Sequence, residues 1–132
     1  SKTSANMMMA QNLRPGPRAE KLSMLLDNHE EWVTSGGVSG ARMELPNMDL
    51  SGFDFSARIL AATNFSGSNL CDSDFSCAIL SAADLRDVVL IDAKMIGADL
   101  RGADLRGADL IDTMLDDARM GVMPGVNKQT QK

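Results

Sequence analysis

GADLRGADLRGADL, from Gly97 to Leu110, states one five-residue phrase almost three times over, and the repeat extends from it in both directions. Leucine, phenylalanine or methionine returns at every fifth position: Leu45, Leu50, Phe55, Leu60, Phe65, Leu70, Phe75, Leu80, Leu85, Leu90, Met95, Leu100, Leu105, Leu110, Leu115 and Met120. None of these sixteen residues is polar. A period of five fits neither a helix nor a strand, so the chain must turn a corner within each repeat.

The neighbours of each centre support that reading. Two residues earlier the side chain is small in most copies, as at Thr63, Ser68, Ser73, Ala78, Ala83, Ala93, Ala98, Ala103 and Ala108. Each repeat therefore offers one large and one small inward position. The residue just before the centre is mostly Asp or Asn, and glycine recurs two after it at Gly52, Gly67, Gly97, Gly102 and Gly107. Outward polar groups and permissive glycines suit a tight bend.

The undiluted phrase matches A(D/N)LXX, and from Arg42 to about Met120 the chain resembles the pentapeptide-repeat family. The resemblance implies an all-β solenoid, a right-handed quadrilateral β-helix with four pentapeptides per coil. Sixteen repeats then make about four coils, a stem about 20 Å long at roughly 4.8 Å per rung. Residues twenty apart should stack, placing Phe75 over Phe55, Ile79 over Ile59 and Ile111 over Ile91, with Phe65 facing Phe55 across a coil.

Residues 1–18, with three consecutive methionines, two prolines and no periodicity, read as a disordered leader. Residues 19–37 read as an α-helical cap carrying Leu22, Leu25, Leu26, Trp32 and Val33 on one stripe and stopped by Gly36 and Gly37. Residues 38–122 form the repeat array, and 123–132 a flexible tail or linker. An open β-helix end exposes unpaired backbone, so a cap is expected at the first coil. The bulky inward residues Met43, Met48, Phe53 and Arg58 fit that junction, with Arg58 expected to reach Glu30 or Glu31. HEEWVTSGG followed by VSGARMEL also resembles the entry sequence that precedes many pentapeptide arrays.

A net charge of −5 argues against generic binding to nucleic acid or to an anionic membrane. There is neither a long apolar run nor a signal-peptide pattern, and the default location is cytoplasmic. Cys71 and Cys77 fall at outward positions on different faces and read as free thiols. His29, the single histidine, reads as a cap residue packed or hydrogen-bonded at the stem. No cluster has metal-ligand spacing and no nucleophile has a base at hand, so neither a cofactor nor an enzyme is expected.

The candidate sites are surfaces. Asp72, Asp92 and Asp112 form an acidic column, flanked by Ile91 and Ile111 with Val89, Ile96 and Met114. Ile59 and Ile79 replace the consensus Asp and make an apolar strip. Leu110, Leu115 and Met120, with Leu105, line an uncapped C-terminal coil suited to a homodimer contact. The leading reading is an interaction or scaffold module with a protein partner, part of a larger bacterial signalling or effector protein. The alternative draws on the family's acidic rods that imitate duplex DNA and bind DNA gyrase or a related topoisomerase.

Overall fold

A tight turn closes after every central residue, and it sets the architecture. In the computed structural model, which describes residues 13–122, the N–H of Arg58 donates to Phe55 O (3.2 Å), Thr63 N–H to Leu60 O (3.1 Å) and Ala78 N–H to Phe75 O (3.0 Å). The third residue of each turn takes a positive φ, from 56° to 62° at Asn47, Ala57, Ala62, Asp72, Cys77, Ala82, Asp87, Asp92, Asp112 and Asp117. Glycine fills the same position at 52, 67, 97, 102 and 107. The residue before the centre supports the bend from outside. The Asp54 Oδ1 accepts Ser56 N–H (2.8 Å), Asn64 Oδ1 accepts Ser66 N–H (2.9 Å), and Asp99 Oδ1 accepts Arg101 N–H (3.1 Å). The consensus Asp or Asn is therefore turn chemistry.

Four such corners return the chain to its starting side after twenty residues. Parallel bridges pair residues twenty apart, from Glu44 with Asn64 through to Asp99 with Arg119. From Leu45 to Leu100 each central N–H donates to the carbonyl nineteen residues on, as from Leu50 to Asn69 (2.8 Å) and from Leu100 to Arg119 (2.7 Å). The N–H before the centre donates back the other way, as from Asn69 to Met48 O (2.9 Å).

Two side chains per side fill the interior. The centres from Leu50 to Met95 are fully buried, and the small partners Thr63, Ser68, Ala78, Ala93 and Ala98 are equally inaccessible. Phe55 and Phe75 stack at 4.7 Å with rings 7° apart, while Phe65 meets both edge-on at 5.5 and 5.8 Å. Buried hydroxyls turn back to backbone: Ser68 Oγ donates to Leu45 O (2.6 Å) and Ser73 Oγ to Leu70 O (2.6 Å). Gross burial of about 1.5–3 kcal/mol per fully buried centre opposes the entropy of ordering the chain.

The N-terminal end is closed by helix α1, Ala19–Thr34. Leu22, Leu26 and His29 are its buried stripe. Gly37 N–H bonds Trp32 O (2.8 Å) and Gly36 N–H bonds Val33 O (3.2 Å), ending the helix where the glycines were read to stop it. Gly40, at φ +77°, lies so close to the backbone of Asn28 and Trp32 that a Cβ has no room, which lets the entry segment hug the helix. Arg58 is held by Glu30 through Nε–Oε2 (3.0 Å) and Nη2–Oε1 (3.0 Å), and by Asp27 Oδ1 (2.7 Å). Glu30 is the expected partner; Asp27, one helical turn earlier, supplies the second carboxylate.

Part of the stretch read as a disordered leader is ordered. Strand β1, Arg14–Pro15, pairs in parallel with β2, Met48–Asp49, and Arg14 N–H bonds Asn47 O (3.0 Å). It adds a rung to the exposed edge of the first coil, a local need that periodicity cannot reveal. Residues 1–12 of that leader and the tail 123–132 lie outside the described residues.

Two substitutions on one coil test this architecture by denaturant melting. Leu85→Ala empties a filled column and should cost about 2–5 kcal/mol. Ala82→Gly, at φ 58°, relieves a left-handed penalty of about 1–2 kcal/mol. It also loosens the unfolded chain by about 0.4–1 kcal/mol, so a small net stabilisation is expected.

Candidate interaction surfaces

Corner geometry accounts for the acidic column. Asp72, Asp92 and Asp112 occupy the positive-φ position of one corner in successive coils, with φ of 60°, 62° and 57°. Their backbones stack through Asp72 N–H to Ile91 O (3.0 Å) and Asp92 N–H to Ile111 O (3.2 Å). All three are exposed. Aspartate tolerates this backbone conformation better than most residues, so the spacing follows from the fold.

Arginine follows the centre at Arg86, Arg101 and Arg106. Each is claimed by the aspartate two residues before it. Arg86 pairs with Asp84 (2.7 Å), Arg101 with Asp99 (2.7 Å) and Arg106 with Asp104 (2.6 Å), each through two guanidinium nitrogens. Hydrogen bonds from Arg101 and Arg106 hold the Asp99 and Asp104 carboxyls at about 2, and Arg86 lowers Asp84 in the same way. These forks follow from a pattern visible in the sequence, Asp-Leu-Arg at a corner, in which both side chains leave the same side.

The apolar candidates divide. Ile59 and Ile79 are bridge partners on one side, with Ile59 half-buried and Ile79 exposed. Ile111 is 51 % exposed, and Met114, on the next side, 45 %. Ile91 is not part of an open surface: it is only 4 % exposed and packs with Cys71 and Val89 in a small cluster outside the main core. Cys71 lies twenty residues before Ile91 and Val89 two before it, so neighbours above and beside cover the side chain. Cys71, read as an outward position, lies outside the main core but is covered for the same reason, whereas Cys77 is exposed.

The C-terminal coil is the least covered. Leu105, Leu110 and Leu115 are half-buried although their counterparts above are sealed, and Met120 and Val122 are 53 % and 61 % exposed. At the other end an apolar groove of about 220 Å³ runs between Trp32, Val33, Gly36 and Gly37 of the cap and Ala61 and Ala62 of the last corner of the first coil. Among the described residues no group of three or more His, Cys, Asp or Glu side chains is placed to hold a metal ion. No helix among them is long and apolar enough to cross a membrane.

Comparison with known proteins places these surfaces on a familiar scaffold. The model for pentapeptide repeats matches residues 49–87 and 83–121. Among solved structures, a pentapeptide repeat protein from the thylakoid lumen of Arabidopsis thaliana is 36 % identical over 58 % of this chain and 55 % of that one, with a TM-score of 0.53. Rfr23 from the cyanobacterium Cyanothece is 32 % identical over 61 % of this chain and 60 % of its own, with a TM-score of 0.46. HetL from the cyanobacterium Nostoc, described as involved in heterocyst differentiation regulation, is 33 % identical over 58 % of this chain and 40 % of its own, with a TM-score of 0.36. The chain thus spans less than two thirds of the length of these relatives. No curated protein matches it.

The two thiols report directly on the outer packing. A water-soluble disulfide reagent should titrate Cys77 rapidly in the folded protein and reach Cys71 only with denaturant. Two equally fast thiols would mean that the Cys71, Val89 and Ile91 cluster is open in solution.

Proposed function

The chain belongs to the pentapeptide repeat family, and from that premise we propose that it is a non-enzymatic interaction module, a right-handed quadrilateral β-helix of about four coils. Its contact face is the C-terminal coil, and its first partner is a second copy of the chain. The observation that carries this reading is where the exposed large apolar side chains fall. Of the seven exposed large apolar side chains among the described residues, Ile111, Met114, Met120 and Val122 lie in or just beyond the last coil, next to the half-buried Leu105, Leu110 and Leu115, while Met24, Val38 and Ile79 are scattered elsewhere. Patches of this kind mark contacts.

Backbone chemistry supports the same face. The end of a β-ladder presents unpaired N–H and C=O groups, which template pairing with another chain. Two chains meeting end to end about a two-fold axis bury both edges in one self-complementary contact. In a larger bacterial protein the same stem serves as a rigid spacer that holds attached domains at a set distance.

Imitation of duplex DNA toward gyrase is the weaker reading. Net acidity favours it, but the carboxylates of Asp84, Asp99 and Asp104 are each bound by an adjacent arginine, which interrupts any phosphate-like stripe. A supercoiling assay separates the two: no inhibition or protection of gyrase at micromolar protein is expected.

Sedimentation equilibrium tests the contact itself. The expected result is a dimer that Met120→Glu or Leu115→Glu converts into a folded monomer, because a carboxylate at the seam is desolvated without a partner. A parent protein that stays monomeric at millimolar concentration overturns the second-copy reading.

A further inference from the structure

Among the described residues His29 is the one titratable side chain that is wholly inaccessible, and it sits where the cap meets the stem. Its Nδ1 accepts the backbone N–H of Met43 (2.9 Å), so the ring proton of the neutral imidazole resides on Nε2. From there it points to the carbonyl oxygen of Ala61 (2.8 Å), with Thr63 Oγ1 3.0 Å from the same nitrogen. One ring thereby ties helix α1 to the first side of the stem at Met43 and to the corner before the second coil at Ala61. The Met43 bond requires the neutral form, whereas the Ala61 bond is kept in either form. An imidazolium carries a hydrogen on Nδ1 as well, and that hydrogen meets the Met43 N–H head-on.

We propose that His29 is an acid-sensitive latch, whose protonation releases helix α1 from the first coil and uncovers the N-terminal edge of the stem. The surrounding charges do not rescue the protonated ring. On the helix, Glu30 has both carboxylate oxygens committed to Arg58, and its Oε2 also accepts Ile59 N–H (2.9 Å). Asp27 is likewise engaged with Arg58. From the entry segment, Arg42 lies on the other side, donating to Ala62 O (2.7 Å) and pairing with Glu44 (3.3 Å). Glu30, the carboxylate whose charge favours the protonated ring, is thus already committed to Arg58 and Ile59.

The direction of the pH effect follows. Burial pushes the imidazole below its ordinary value of 6.5, Arg42 adds to this, and the Ala61 carbonyl and Glu30 oppose it. The released state therefore binds a proton more readily than the docked state. Docking is at full strength above pH 6.5 and weakens as pH falls toward and through the lower docked-state value. Release exposes Leu22 and Leu26 together with Met43 and Phe53, and frees the backbone edge that the cap covers. The consequence is a stem that becomes adhesive at its N-terminal end only in acid.

The experiment is hydrogen exchange and proton NMR on the whole chain between pH 7.5 and 5.5. Because the sequence holds one histidine, its Cε1–H resonance is assigned without ambiguity. Helix amides from Leu26 to Val33, corrected for intrinsic exchange, should open up to about tenfold more often at pH 5.5 than at pH 7.5. Stem amides at Leu70, Leu85 and Leu90 should keep their protection, and Trp32, whose ring centroid is 5.7 Å from that of His29, should shift to redder emission. His29→Gln should open the helix at both pH values and abolish the difference between them. Persistence of the pH dependence in His29→Gln would assign it to the Arg58 carboxylates and overturn the latch. If that variant does not fold, the parent decides alone. A folded-state His29 titrating at or above 6.5, or helix protection unchanged across its titration, overturns the proposal.

Discussion

The bond from each central N–H to the carbonyl nineteen residues later is what the rest of the stem depends on. It exists only because four corners of nearly the same angle bring the chain back above itself, and the corners exist only because one residue in five accepts a positive φ. The hydrophobic register does not supply this count. Sliding one coil by five residues keeps every leucine and phenylalanine inward, so the five-residue pattern is indifferent to the number of sides. The non-repeating features decide between such registers. Phe75 stacks on Phe55, Ile79 on Ile59, and the Asp87 side chain covers the bare corner at Gly107. Any slip separates these pairs.

This explains which parts were legible in the sequence. The inward centres were legible because a column closed on all sides demands an apolar side chain every time, and one polar exception would be visible. Stacking of Phe55 with Phe75 followed from the twenty-residue return. Burial of Ile91 and Cys71 did not, because an outward position is covered or bare according to its neighbours twenty residues away and two residues before it. Sulfur above and Val89 alongside make a pocket for Ile91; Ile111, one coil below, lacks the same shelter. Outward-facing and exposed are different properties in a stack of coils.

The aspartates carry a related lesson. They fall into two populations by position in the repeat. Those just before a centre bind the N–H two residues on, and three of them also fork an arginine; those two after a centre are there because aspartate tolerates the left-handed corner. Neither role needs an outside ligand. The arginine of Asp-Leu-Arg was readable as a local partner by the fact that i and i+2 flank one inward residue and therefore leave on the same side.

The two ends of the stem solve the edge problem by opposite chemistry. At the N-terminal end the helix is positioned by directional polar contacts, the Arg58 fork and the two-sided His29 bond, laid over a modest apolar contact through Leu22 and Leu26. Directional bonds fix one docked orientation. The C-terminal coil is finished by aliphatic and thioether side chains with no fixed direction. Such a surface tolerates a range of approach angles and is insensitive to pH, which suits association with a separate molecule better than docking of a tethered segment. In a stack where each coil is stabilised chiefly by the one above and the one below, loss of either cover is felt first by a single coil. A filled column thus separates an end held by polar contacts from an end finished by apolar side chains.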